Sequence, residues 1–141
     1  MTKEEIFDAL ETLDFPRDSY IVIGGASLVV QDIISSISDI DLACSKDFYN
    51  ELDWSIVPGN FGWKIKSKGI FDIGINFYDP NHIVWIRGFC FADLDACYQL
   101  KMKENRDSNQ EVIKKLEKIL KKQLFSIILS FYNKFKHTLY V

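Results

Sequence analysis

Two short runs of this chain hold residue types that could do chemistry together. The first, Ile23-Gly24-Gly25-Ala26-Ser27, sets two glycines and a hydroxyl between apolar stretches; the second, Asp39-Ile40-Asp41-Leu42, follows with thirteen residues between Gly25 and Asp39. A Gly-Gly turn between a strand and a helix lets backbone N–H groups approach a phosphate closely, and the start of the helix adds a favourable partial charge. Gly24, Gly25 and Ser27 are therefore candidate nucleotide-binding residues. Carboxylates at i and i+2 of one strand project from the same face with Cα atoms about 7 Å apart, so their oxygens can converge on a pair of divalent ions. Phosphoryl and nucleotidyl transfer need such an arrangement, because metals ~4 Å apart stabilise both the attacking and the leaving oxygen of an in-line displacement. Asp39 and Asp41 are thus candidate Mg²⁺ ligands, and Asp41, inside an apolar run, would be costly to bury without a cation.

The elements that must hold these runs are legible around them. Thr2 followed by Glu5 forms a capping box for a helix over residues 3–12, which Pro16 ends. Tyr20-Ile21-Val22-Ile23 is a continuous apolar run of the kind a buried strand shows, and residues 26–34 suit a short buried helix. Residues 38–44 alternate polar with apolar and predict a second strand, with both aspartates on one face. A short helix over 46–52 and a turn at Pro58-Gly59-Asn60 follow. Residues 61–66 and 70–77 flank a Ser-Lys-Gly turn and predict a hairpin; residues 83–86 predict a further strand. From Ala92 the period is helical, with Leu94, Cys97, Tyr98 and Met102 on one side, and a last helix begins near Ser108. In that helix Val112, Ile113, Leu116, Ile119, Leu120 and Leu124 form one stripe opposite Lys114, Lys118, Lys121 and Lys122. Beyond Leu124 the pattern breaks down, and the aromatic tail of Phe125, Phe131, Tyr132 and Phe135 is expected to fold back on the core or to pair with a second chain as a homodimer. The order of elements predicts an α/β layer domain, with a core over residues 1–107 and a helical C-terminal segment of the same domain over 108–141.

Composition narrows the class further. Of 141 residues, 48% are hydrophobic and 26% charged, which excludes a disordered or collagen-like chain. Cys44, Cys90 and Cys97 form no C-x-x-C pair and are odd in number, so they read as reduced, core-filling thiols of a cytoplasmic protein. His82 and His137 read as ordinary. The N-terminus is acidic and amphipathic where a secretory signal would be basic, and no apolar stretch approaches the ~20 residues of a membrane span, so no membrane association is expected. The net charge of −3 hides an asymmetry. Residues 1–100 carry 7 Lys and Arg against 16 Asp and Glu, or −9, whereas residues 101–141 carry 10 against 4, or +6. Such a basic segment can meet phosphates or its own acidic neighbour.

The paired runs together resemble the signature of the nucleotidyltransferase superfamily, an h-G-[GS]-x-S element followed by [DE]-h-[DE]-h, over about residues 5–120. The likeness is to small bacterial and phage-borne members, including the toxin-type minimal nucleotidyltransferases, whose core is followed by a helix carrying K-x₄-R-x-K-D. Lys101 and Arg106 stand at that spacing, with Ser108-Asn109 in place of Lys-Asp. The resemblance implies a mixed β-sheet flanked by helices and a third carboxylate from a later h-D-h strand, which Phe71-Asp72-Ile73 fits. It further implies NTP as donor, two Mg²⁺ ions as cofactor, and an acceptor that could be RNA, protein or a small molecule. Asp39, Asp41 and Asp72 would be catalytic, and Gly24, Gly25, Ser27, Lys101 and Arg106 would bind nucleotide. The competing expectation is a catalytically silent module of the same fold, such as one component of a toxin–antitoxin pair; the position of Asp72 discriminates, because without it only two acids remain.

Overall fold

The computed structural model describes residues 1–59 and 62–140; Asn60 of the expected turn and Phe61 of the expected hairpin lie outside the described residues. The chain folds into a mixed α/β structure. Helix α1 (Lys3–Glu11) starts at the Thr2–Glu5 capping box. Strand β1 (Ile21–Ile23) runs directly into α2 (Gly24–Val30), and β2 (Ile40–Ala43) is followed by α3 (Lys46–Glu51). Strands β3 (Ser55–Pro58), β4 (Lys64–Lys68), β5 (Phe71–Gly74), β6 (Ile83–Ile86) and β7 (Phe89–Ala92) complete the sheet, and α4 (Leu94–Glu104) and α5 (Gln110–Tyr140) close the chain.

The seven strands lie in the order β3-β4-β5-β2-β1-β7-β6. Strand pairs β2–β5 and β1–β7 are parallel and the others antiparallel. Side chains of successive strand residues point to opposite faces. Val22, Ile40, Leu42, Phe71, Ile73 and Phe91 accordingly enter one core with α1 and α3. Ile21, Ile23, Ala43 and Ala92 enter a second core with Cys97 and Leu100 of α4 and Leu116 of α5. The three cysteines are buried and unpaired, filling these cores. Among the described residues no helix is long and apolar enough to cross a membrane.

Several elements differ from the sequence reading. Strand β7 was not expected, because four apolar residues between a strand and a helix signal are too few to show a period. A two-residue turn creates it: Arg87 and Gly88 both take positive φ, 51° and 79°, the requirement of a tight hairpin whose twist matches its strands. Strand β3 was also missed; it lies at the sheet edge and ends on Pro58, where the lack of an N–H is tolerated. Helix α2 stops at Val30 rather than continuing to Ile34, with Asp32 in the left-handed region at φ 64°. In α4 Leu100 is buried while Met102 is 47% exposed, so Met102 does not belong to the packed side. On α5, Ile113 and Leu116 are buried as expected, but Leu124 is 58% exposed and does not extend the stripe. Phe125, Phe131, Tyr132 and Phe135 are exposed as well, so the tail does not fold back on the core.

Candidate functional site

The sheet register assembles the acidic site. Asp41 lies opposite Ile23 on one side and Asp72 on the other, so the two carboxylates stand side by side on adjacent parallel strands. Both point to the α4 face, since their neighbours Leu42 and Ile73 enter the opposite core. Asp39, immediately before β2, shares that face with Asp41. One carboxylate oxygen each from Asp39, Asp41 and Asp72 lie within 4.8 Å of one another.

The triad lines a cleft of about 360 Å³. Trp63 and Phe77, in edge-to-face contact with ring centroids 4.6 Å apart, form part of its wall. Glu104 and Arg106 border it from the end of α4 and the turn beyond. Gly24 adjoins the acids through its backbone: φ is +61°, and a Cβ there would lie 3.6 Å from Asp41 Oδ2 and 3.7 Å from Leu100. That conformation strains any side-chain-bearing residue, which gives the first glycine a local reason.

Asp41 is exposed at the cleft mouth yet recessed between its walls, and its carboxyl is pushed up to about 6. Lost hydration is the largest cause; the charges of Asp39, Asp72 and Glu104 add to it, and Lys101 opposes. A divalent cation would relieve this crowding. The donor set suits a hard divalent cation of the Mg²⁺, Ca²⁺ or Mn²⁺ kind: three carboxylate oxygens converge, with no softer ligand among them.

The other expected residues divide. Lys101 is largely buried and pairs with Glu104 at 3.9 Å. Glu104 in turn accepts a hydrogen bond from Asn109 Nδ2 at 3.1 Å. Glu104 was missed in the sequence, although its place three residues after Lys101 on one helix face was the available signal. Gly25 has a packing reason: a Cβ would come within 2.7 Å of Ile37 Cγ2. Ser27 is fully buried; its Oγ donates to Ala92 O at 2.6 Å and accepts from Gln31 Nε2 at 2.9 Å. The hydroxyl thus ties α2 to β7, and Ser27 lines neither this cleft nor its neighbour.

That neighbouring cleft, of about 340 Å³, shares Ile23, Asn76, Phe77 and Leu100 with the first. On its border His82 is not the isolated residue the sequence suggested. Its ring nitrogens lie 3.5 Å from Asp93, 3.7 Å from Asp95 and 3.9 Å from Asp79. Comparison with known proteins finds no family model that matches the chain, and no curated protein or solved structure that matches it significantly.

Proposed function

We propose that this protein is a Mg²⁺-dependent nucleotidyltransferase of the minimal, toxin-like kind, moving a nucleoside monophosphate from NTP to an acceptor hydroxyl with release of pyrophosphate. The observation that carries the reading is the third carboxylate. Asp72 comes from a strand separated from β2 by three other elements, yet one of its oxygens lies within 4.8 Å of one each from Asp39 and Asp41. The mixed sheet with helices on its faces is the architecture the motif resemblance implies.

In this reading Asp39 and Asp41 hold two Mg²⁺ ions, which when bound supply charge neutralisation for the triphosphate and polarise the reacting oxygens. Asp72 shares the second ion or takes the proton of the acceptor hydroxyl. Gly24 leaves the space beside Asp41 free of a side chain, so a phosphate can come close. Arg106 at the cleft border and Lys101 beside Glu104 offset the negative charge of donor and acids. Ser27 contributes by anchoring α2 rather than by touching phosphate. The acceptor is an RNA end, a protein or a small molecule.

The test is incubation with each α-³²P-labelled NTP and Mg²⁺, following pyrophosphate release and label transfer. Activity is expected in the wild type and is expected to vanish in Asp39→Asn with Asp41→Asn and in Asp72→Asn. Undiminished release in the double variant would remove the metal-site assignment. Mg²⁺-dependent NTP binding with no turnover would instead favour the silent module.

A further inference from the structure

We infer that the projecting end of α5 is a self-association surface that pairs with the same segment of a second copy of this chain, the two tails antiparallel. The inference stands independently of the catalytic reading. Helix α5 docks on the body through Ile113 and Leu116, but from Leu124 onward its described side chains are exposed: Phe125 66%, Phe131 68%, Tyr132 59% and Phe135 66%. At ~100° per residue the exposed apolar residues are not scattered. Leu124, Ile128, Phe131 and Phe135 recur at spacings of four, three and four, the seam of a coiled coil. Phe125 and Tyr132 widen the seam on one side and Ile127 on the other, while Ser126, Ser130 and Asn133 occupy the opposite face. The tail is therefore broadly amphipathic, with Leu129 set apart from the seam; the seam lies about 60° round the helix from the docked Ile113 and Leu116, and Phe131 falls on the line of Ile113. The seam is uncovered because the packing that buries Ile113 and Leu116 reaches no further than Ile119 and Leu120.

Area favours a second copy as the occupant. The eight exposed apolar side chains from Leu124 to Phe135 leave on the order of 1,000 Å² uncovered per chain, against ~800 Å² per partner in a stable interface. A seam with this spacing is self-complementary. Antiparallel pairing puts the two bodies at opposite ends; parallel pairing would set side by side two bodies whose residues 1–100 each carry −9. No acidic residue follows Glu117, while Lys121, Lys134 and Lys136 flank the seam. The lysines repel across the pair, so the dimer tightens as salt rises.

Light scattering and sedimentation equilibrium of the full chain test this. The expected mass is twice the 16.4 kDa of one chain, with a dissociation constant that falls at least severalfold between 50 and 500 mM NaCl. Phe131→Glu and, separately, Ile128→Asp are expected to give monomers with the melting temperature of the body unchanged, since neither side chain packs on it. Leu124→Cys reports orientation: it cross-links to itself only in a parallel pair, and the native thiols are buried. A full chain that stays monomeric at 100 μM, or a dimer that survives both substitutions, overturns the inference. Efficient Leu124→Cys cross-linking overturns the antiparallel arrangement. A monomer that co-sediments with phosphatidylcholine–phosphatidylglycerol vesicles assigns the face to lipid and overturns it as well.

Discussion

Replacing Asp41 by Asn should stabilise the metal-free protein near neutral pH, and the size and pH dependence of the effect follow from the site. In the unfolded chain the Asp41 carboxyl has an ordinary value near 3.8; in the fold it is raised to about 6, first by lost hydration and then by Asp39, Asp72 and Glu104. The folded state is therefore the one that holds the proton more tightly. Asp41's contribution to the stability of the metal-free protein is greatest below about pH 4, falls as pH rises to about 6, and is level above. The full difference between 3.8 and about 6 converts to roughly 3 kcal/mol. Because the side chain is exposed to screening solvent, about 1 kcal/mol is the reasonable expectation. Asn carries no charge at any pH, so the variant should gain that amount over wild type at pH 7 and nothing at pH 4. Urea unfolding of both proteins in EDTA across this range measures it. Mg²⁺ reverses the ranking: at tenfold excess over its dissociation constant it adds about 1.4 kcal/mol to the wild type and little to the variant. A variant less stable than wild type in EDTA at pH 7, or a gain that persists at pH 4, would refute the reasoning.

Ser27→Ala should cost about 0.5–1.5 kcal/mol, because it removes two hydrogen bonds while Gln31 Nε2 still donates to Ala92 O at 3.0 Å, and the KM for NTP should stay unchanged; a raised KM at constant stability would return Ser27 to the phosphate. Gly25→Ala should destabilise by about 1–3 kcal/mol through contact with Ile37 Cγ2, and adding Ile37→Ala should recover part of the loss; strict additivity in chemical denaturation would rule out that contact as the cause. Lys66→Met should cost at least about 2 kcal/mol, since the buried Nζ donates to both Tyr49 O and Leu52 O at 2.6 Å at the end of α3, and a neutral result by calorimetry would show those carbonyls to be satisfied otherwise.

What the sequence determined by itself is what lies within a few residues along the chain. The Thr2–Glu5 cap, the strand-to-turn transition at Ile23-Gly24 and the i, i+2 placement of Asp39 and Asp41 on one face all depend on local geometry, and all were readable. Non-local pairing decided the rest. Asp72 could be offered as a third acid from its h-D-h setting, but only the parallel pairing of β5 with β2 puts it opposite Asp41. Ser27 has the residue type of a phosphate ligand, yet β7, a strand sixty-five residues away at Ala92, claims its hydroxyl. His82 acquired two of its three carboxylate neighbours, Asp93 and Asp95, from the start of α4, and Gly25 its constraint from Ile37. On α5 the residues were visible from the start, but which face meets the body was not. A helix buries only the stripe that its neighbours reach, and here the neighbours end before Leu124, leaving the tail's apolar seam without cover.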